Sequence, residues 1–191
     1  MQSIILTGPK HSGKTSAGKA LASICSCDFI DLDDLILQRT GKTPRQLYVE
    51  SGGSDGSLFK QAEAEAASYL MTSLAGSINI KRVIAAGGGI IDNPEAMTAL
   101  KNSGAIMVYL CISADEAWNR IANSPNGEKP KSELPPFLQT ENPKKNHRLL
   151  HERRAAAYLQ IADIVIEAEG KPPEEIARMI QASLETQSDD A

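Results

Sequence analysis

The residues of this sequence best suited to chemistry lie near its start, in the run GPKHSGKT at positions 8–15. The run fits GxxxxGK(S/T), in which glycines let N–H groups curl around an anion and a following helix directs its positive end there. In such a loop Lys14 reaches the β- and γ-phosphates of a nucleotide, and the Thr15 hydroxyl binds Mg²⁺. A chance match is the alternative, but this run lies between a predicted strand and a predicted helix. We therefore expect ATP to bind at Gly8, His11, Ser12, Gly13, Lys14, Thr15 and Ser16.

A cluster of carboxylates follows the second predicted strand, in the run FIDLDD at positions 29–34. In open α/β sheets, ligands bind just beyond the carboxyl ends of the strands. The spacing of Asp31 and Asp33 lets one carboxylate lie near a metal ion while the other hydrogen-bonds an acceptor hydroxyl and takes its proton. Alternatively, Asp33 or Asp34 only caps the next helix, which we expect to begin near Leu35. We assign the cap to Asp34 and a functional role to Asp33.

The elements that would position these residues alternate between strand and helix. Apolar runs typical of buried strands occur at 3–7, 29–30, 82–86, 106–112 and 164–166, and helical patterns occur at 13–26, 58–74, 94–101, 114–123, 145–161 and 173–184. This alternation predicts parallel βαβ units in a doubly wound sheet. We expect a three-layer αβα fold of the P-loop kinase type with a parallel five-stranded sheet. One domain would span 1–185, followed by a flexible tail at 186–191.

One stretch fits no regular element. Residues 124–143 carry five prolines and several charges, with no sustained apolar period. A long irregular segment inside a compact domain is uncommon, and an active-site lid is one of the few explanations for it. We expect a mobile lid here that closes over bound ligands and excludes water.

Bulk properties narrow the class of protein. A chain of 191 residues with a formal net charge of −4 fits one α/β domain and argues against a protein that mainly binds nucleic acid. No window approaches the ~20 apolar residues of a membrane span. Cys25, Cys27 and Cys111 form no CxxC pair and are expected to be reduced thiols. We expect a cytoplasmic monomer without a nucleic-acid or membrane partner.

Further runs extend the pattern set by the phosphate-binding and acidic motifs. They are FKQAE at 59–63, GGG at 87–89 and RAAAYLQIAD at 154–163. In this order and at this spacing, the set resembles the shikimate kinase family. The resemblance runs from the first strand to the final helix, and the segment 124–143 fits it least well.

The resemblance implies transfer of the γ-phosphoryl group of ATP to the 3-hydroxyl of shikimate. Asp33 would hold and activate that hydroxyl, and Asp31 would support Mg²⁺ through water. Arg154 would bind the substrate carboxylate, for which a guanidinium fork is well shaped. The implied substrate-binding residues are Asp33, Lys60, Gly87, Gly88, Gly89 and Arg154. A plain tight turn at the glycines, and a solvated Arg154 with Arg153 pointing inward, are the alternatives.

Two positions depart from the family pattern. The family normally has FRxxE where this chain has Lys60, and an ammonium group loses the planar fork of a guanidinium. The family's lid carries an Arg-Pro pair, for which the nearest counterpart here is Lys129-Pro130, so Lys129 becomes the third catalytic candidate with Lys14 and Asp33. These departures leave two alternatives open: a related kinase with another hydroxy acceptor, and a catalytically weak nucleotide-binding homologue.

Other side chains could also contribute to a site. Arg120, near the end of a predicted helix, is a candidate ATP-binding residue that would stack on the adenine if this helix ends near the nucleotide. His147 and His151 lie four residues apart, but HRLLHE is not HExxH, so we expect a solvated helix face rather than a zinc site. Trp118 shares a helix face with Ile121 and is expected to pack in the core.

Overall fold

The structure is a computed structural model that describes residues 2–52, 56–75, 82–124, 127–128, 130 and 133–189. Its central sheet contains the strands β1 Ile4–Thr7, β2 Asp28–Asp31, β3 Arg82–Ala85, β4 Ile106–Cys111 and β7 Ile164–Glu167. All of them run parallel, in the order β2-β3-β1-β4-β7. The five-stranded parallel sheet predicted from the sequence is therefore confirmed.

Helices flank both faces of this sheet. They are α1 Lys14–Ile24, α2 Leu32–Thr40, α3 Pro44–Glu50, α4 Ser57–Ala75, α5 Pro94–Lys101, α6 Ala114–Ala122, α7 Pro143–Ile161 and α8 Pro173–Asp189. Among the described residues, no helix combines the length and apolar character needed to cross a membrane.

Alternate residues of the central strands face two separate cores. On one face, Ile5 and Tyr109 pack against side chains of α2, α3, α4, α5 and α7. On the other face, Leu6 and Val108 pack against α1, α6 and α8. Strands covered on both sides are expected to be continuously apolar, as β1 and β4 are. The result is the predicted three-layer αβα arrangement.

Strand register brings three loops to one edge of the sheet. Asp31 at the end of β2 pairs with Ala85 at the end of β3, and Ala85 pairs with Leu6 in β1. The glycine-rich loop after β1, the carboxylates after β2 and the triple glycine after β3 therefore follow neighbouring strand ends. The site residues meet because the sheet is parallel.

The start of α2 corrects one assignment. This helix begins at Leu32, and its N-cap is Asp31, whose Oδ1 accepts a hydrogen bond of 3.0 Å from the backbone N–H of Asp33. The assignment of the cap to Asp34 was wrong, because β2 passes into the helix without an intervening loop. Helix α8 also runs past the predicted Leu184 to Asp189, into the segment assigned to a flexible tail.

The segment expected to form the lid contains short elements. β5 Asn123–Ser124 pairs antiparallel with β6 Gly127–Glu128, and Pro136–Leu138 forms a 3-10 helix. Leu134 and Leu138 are buried against Ile121, and Trp118 packs on the same cluster. Trp118 therefore packs in an apolar cluster, but one that includes part of the lid segment. Lys129 lies outside the described residues, and the mobility of the lid stays a prediction.

Two histidines expected on a solvated face are buried. His147 and His151 are 6% and 8% exposed, and their ring centroids are 5.7 Å apart. His147 packs on Trp118, and the His151 Nε2 lies 3.1 Å from the carbonyl O of Ile112. Burial lowers the pKa of His147 to about 4, so the ring is neutral at physiological pH. The prediction failed because their charged neighbours on α7 face away from the packing interface.

Candidate active site

A cleft of about 1230 Å³ opens at the carboxyl edge of the sheet. Most residues singled out from the sequence line it: His11, Ser12, Gly13, Lys14, Thr15, Ser16, Asp31, Asp33, Lys60, Gly87, Gly88, Gly89, Arg120 and Arg154. Gly8 lies buried at the base of the loop that begins the cleft. Ligands of α/β proteins bind at this edge, because loops following adjacent parallel strands converge there.

The loop after β1 needs its glycines for backbone geometry. Gly8 and Gly13 have φ angles of 139° and 95°, which other residues rarely adopt. A Cβ on Gly8 would lie 2.6 Å from the carbonyl O of Leu110, so no side chain fits there. His11 adopts a φ of 61° without being glycine, a strained conformation of the kind that clusters at ligand sites. The loop is thus held in a curl that continues into α1.

Lys14 is the cation at the centre of this loop. Its Nζ donates hydrogen bonds to the carbonyl oxygens of Gly8 at 3.0 Å and Pro9 at 2.7 Å, and to the Ser12 Oγ at 3.3 Å. Burial lowers the pKa of Lys14 to about 8, although the charges of Asp33 and Asp31 act in the opposite direction. A polyphosphate at the loop would favour the charged ammonium further.

Thr15 and Asp31 form a pair of oxygen donors beside the loop. The Thr15 hydroxyl donates to Asp31 Oδ2 at 2.7 Å, while the other carboxylate oxygen caps α2. Hydroxyl and carboxylate oxygens suit Mg²⁺, which is usually held by one or two side chains together with substrate phosphates. The donor set therefore fits the ion that the resemblance implies.

Asp33 stands open to the cleft on the first turn of α2. The protein that surrounds its carboxyl raises the pKa, and the charge of Asp31 raises it further, while Lys10 and Lys14 act against both. A carboxylate with a raised pKa and cations close by is suited to accept a proton from an alcohol.

The three glycines after β3 are required because other parts of the protein lie too close to this loop to leave room for side chains. A Cβ on Gly88 would lie 2.7 Å from the backbone N of Lys10, and one on Gly87 would lie 2.8 Å from Glu63 Oε1. A Cβ on Gly89 would lie 3.0 Å from Arg154 Nη2. None of the three has a positive φ. The loop does turn tightly into the 3-10 helix Ile90–Asp92, but the glycines are needed because its backbone packs directly against Glu63, Lys10 and Arg154.

Arg154, rather than Arg153, faces the cleft. The Arg154 side chain is 18% exposed, whereas that of Arg153 is 61% exposed. Arg154 donates to Asp92 Oδ2 through Nε at 2.9 Å and to the carbonyl O of Gly88 through Nη1 at 3.4 Å. Its guanidinium carbon lies 5.7 Å from the ring centroid of Phe137. The alternative with Arg153 pointing inward is excluded.

The sequence analysis did not identify Glu63 as a buried acid, nor Asn93 as its hydrogen-bond partner. Glu63 is 1% exposed; its Oε2 accepts a 2.9 Å hydrogen bond from Asn93 Nδ2, and its Oε1 has no hydrogen-bond partner among the described residues. Burial raises the pKa of Glu63 to about 7. No local signal marked Glu63, because Glu65 is flanked in the same way by Ala64 and Ala66 and is exposed.

Lys60 lies one turn earlier on α4 and is exposed at the cleft wall. Its carbonyl O accepts a 2.8 Å hydrogen bond from Asn93 Nδ2, which fixes this part of α4 against the start of α5. Lys60 and Arg154 therefore line the same cleft, Lys60 from a part of α4 that Asn93 holds in place.

Arg120 connects α6 to the phosphate-binding loop. It donates to Glu116 Oε1 through Nε at 2.6 Å and to the carbonyl O of His11 through Nη1 at 3.0 Å. Lys171 and Pro173, at the start of α8, line the cleft on the same side. Arg120 is therefore fixed beside the loop, and stacking on adenine stays a prediction.

Across this cleft an anion-binding loop faces a carboxylate and an arginine fork, with a space of small-molecule size between them. That arrangement defines the class: a P-loop phosphotransferase acting on a small anionic molecule.

Comparisons with known proteins define the family. The family model for shikimate kinase matches residues 10–185. The shikimate kinase of Thermodesulfovibrio yellowstonii is 32% identical over 182 residues, covering 94% of this chain and 93% of that protein. The Psychrobacter sp. shikimate kinase is 34% identical over 183 residues, covering 95% and 92%. The structure of Acinetobacter baumannii shikimate kinase in complex with shikimate has a TM-score of 0.81 and 27% identity, covering 98% and 94%. This chain belongs to the shikimate kinase family.

Proposed function

We propose that this protein transfers the γ-phosphoryl group of ATP to the 3-hydroxyl of shikimate. One observation carries the proposal: Lys14, Asp33 and Arg154 line the same cleft. A phosphate-binding ammonium, a proton acceptor and a carboxylate-binding fork are the three groups that this reaction needs on the enzyme.

The nucleotide side would bind and orient the donor. The N–H groups of the loop and Lys14 would hold the β- and γ-phosphates, and Arg120 would lie against the adenine. Thr15 would bind Mg²⁺ directly, and Asp31 through water; the ion neutralises phosphate charge when bound.

The acceptor side would bind and activate the alcohol. Arg154 and Lys60 would bind the carboxylate of shikimate, and the backbone of Gly88 and Gly89 would lie along its ring. Asp33 would take the proton of the 3-hydroxyl as the oxygen–phosphorus bond forms and the bond from phosphorus to ADP breaks. Lys129 in the lid would neutralise charge on the transferring group.

Two observations support the finer parts of this proposal. Cys25, Cys27 and Cys111 are thiols and not disulfides in the described part of the chain, which agrees with a reducing, cytoplasmic setting. The lid segment reaches the acceptor side through Phe137, whose ring lies near Arg154 and 6.4 Å from the ring of Tyr48. A closed lid would exclude the water that otherwise competes as acceptor.

The test is an ADP-release assay with ATP, Mg²⁺ and shikimate, run beside Asp33→Asn. We expect shikimate-dependent turnover, with kcat lowered by about 10²–10⁴ in the variant because the proton acceptor is lost. Gluconate and nucleoside monophosphates, tested as acceptors, check the alternative kinase hypothesis that Lys60 leaves open. ATP binding without turnover on any acceptor would contradict the proposal and favour a nucleotide-binding role.

A further inference from the structure

Asp92 ends the 3-10 helix after the triple glycine and binds two arginines of α7. Its Oδ2 accepts hydrogen bonds from Arg154 Nε at 2.9 Å and Arg153 Nη2 at 3.0 Å, and it lies 2.8 Å from Arg154 Nη2. The Asp92 side chain is 21% exposed. The acid therefore sits between an arginine of the cleft and an arginine of the surface.

These contacts use only one edge of the Arg154 guanidinium. Nε and Nη2 form its side edge, and both meet Asp92 Oδ2. Nη1 lies 3.4 Å from the carbonyl O of Gly88. A guanidinium has a second, end-on edge formed by Nη1 and Nη2, and that fork matches a carboxylate. Arg154 can be held by Asp92 and still present this edge to a ligand.

The charge of Asp92 would repel an anionic acceptor unless it were neutralised. Asp92 contacts both Arg153 and Arg154, so the three side chains together carry one net positive charge. Burial acts to raise the pKa of Asp92, but the hydrogen bond from Arg153 and the charge of Arg154 outweigh it and hold the pKa below its usual value. The carboxylate is thus ionised at neutral pH and fully compensated.

We propose that Asp92 is a positioning residue for acceptor binding. It fixes Arg154 so that the end-on edge of the guanidinium faces the acceptor carboxylate, while Arg153 cancels the repulsion that Asp92 would otherwise add. An arginine held in place beforehand loses less side-chain freedom when it binds its ligand. This inference rests on the proposed function, and it has more weight in this chain because Lys60 supplies no second planar fork.

The test compares two aspartates that each bind an arginine of α7. Asp92→Asn keeps the shape of the side chain and removes its charge. We expect KM for shikimate to rise about tenfold, as weakening of a charge-assisted hydrogen bond predicts, with kcat and KM for ATP within about twofold of wild type. Asp115→Asn is the control, since Asp115 binds Arg148 Nη2 at 2.9 Å outside the cleft lining. All three parameters should be unchanged in that variant.

Three results would overturn the proposal. KM for shikimate could stay unchanged in Asp92→Asn. It could fall, which would mean that Asp92 competes with the acceptor for Arg154. Finally, KM for both substrates could rise together with a lowered Tm, which would mean that Asp92 only supports the local fold.

A double-mutant cycle with Arg154→Lys tests the route of the effect. If Asp92 acts through Arg154, adding Asp92→Asn to Arg154→Lys should raise KM for shikimate no further. Effects that multiply would overturn the proposal. An unchanged KM in Arg154→Lys alone would instead refute the role of Arg154, and wild-type protein without shikimate-dependent turnover would refute the proposed function; either result would remove this inference as well.

Discussion

The nucleotide side of the cleft is lined mainly by one continuous stretch, residues 10–16, whereas the acceptor side is assembled from distant parts of the chain. Asp33, Lys60, Gly88 and Arg154 come from α2, α4, the loop after β3 and α7. Spacing along the chain sets the geometry of the first side, and tertiary packing sets that of the second. We therefore expect substitutions on the nucleotide side to abolish turnover, whereas substitutions on the acceptor side, apart from the proton acceptor Asp33, should change affinity by graded amounts.

The largest effect is expected at the centre of the nucleotide side. Lys14→Met should lower kcat by about 10³ or more, because the loop loses the cation that stabilises charge on the transferring phosphate. The control is Lys19→Met in the same helix, where the ammonium lies 5.8 Å from the ring of Phe29 at an exposed position. Steady-state kinetics and circular dichroism of both variants are the measurements. Full activity in Lys14→Met would remove the phosphate-binding assignment.

The second effect is expected where the two sides touch. In Gly88→Ala the new Cβ would lie 2.7 Å from the backbone N of Lys10, so the phosphate-binding loop and the acceptor loop must move apart. A displacement of this kind should lower kcat/KM for both substrates by about 10². Kinetics with each substrate varied in turn are the measurement.

Gly104→Ala is the matched control for that change. Gly104 has a φ of 67° in a turn between α5 and β4, and a Cβ added there would have no atom of a described residue within 4 Å. We expect the substitution to lower the free energy of unfolding by about 1 kcal/mol, since alanine is strained at this φ, and to leave kcat/KM unchanged. Equal kinetic losses in both variants would show that stability, and not the separation of the two sides, controls turnover.

The same contrast explains what sequence could predict. The place of Lys14 in the cleft followed from the loop motif because its hydrogen-bond partners, Gly8, Pro9 and Ser12, all lie within six residues of it along the chain. The five strands were found because each is a short apolar run between helical patterns. Local pattern was sufficient wherever the structure depends on neighbours along the chain.

Local pattern failed where the partner is distant. The hydrogen bonds of Asp92 come from arginines 61 and 62 residues away, and no rule of sequence spacing connects these positions. Glu63 is defined by burial beneath the triple glycine. His147 was expected on a solvated helix face because HRLLHE does not match a zinc motif, but packing against Trp118 determines its position. These residues lie on elements whose orientation only the whole fold sets.

The third prediction concerns the buried acid on the acceptor side. The folded pKa of Glu63, about 7, lies above its usual value of 4.5, so the fold favours the protonated carboxyl. The free energy of unfolding therefore falls as the pH rises above 4.5, because Glu63 ionises more readily in the unfolded chain, and it stops falling above about pH 7. Glu63→Gln should therefore exceed wild type in free energy of unfolding by about 2 kcal/mol at pH 8, with little difference at pH 5. Urea unfolding at both pH values is the measurement.

Glu65→Gln gives the control on the same helix. Glu65 is exposed and accepts a 2.9 Å hydrogen bond from Gln61, so its removal should change stability by the same small amount at both pH values. A Glu63→Gln variant that is less stable than wild type at pH 8 would show that the folded state favours the ionised form of Glu63. The buried carboxylate would then not lower the free energy of unfolding, contrary to this prediction.

The smallest effect is expected at Lys60, where the acceptor side departs from the family pattern. Lys60→Arg should lower KM for shikimate about fivefold, because a planar fork replaces a single ammonium, and should leave KM for ATP unchanged. A guanidinium at this position would also lie one helical turn from Glu63, whose Oε1 has no hydrogen-bond partner in the part of the chain that the structure describes. A pair between them would lower the pKa of Glu63 and reduce the loss of stability between pH 5 and pH 8.

Lys42→Arg, at an exposed site where the lysine binds Glu50, controls for the substitution itself. If Lys60→Arg changes neither KM nor the pH dependence, position 60 takes no part in acceptor binding, and Arg154 with Asp92 must account for recognition of the carboxylate.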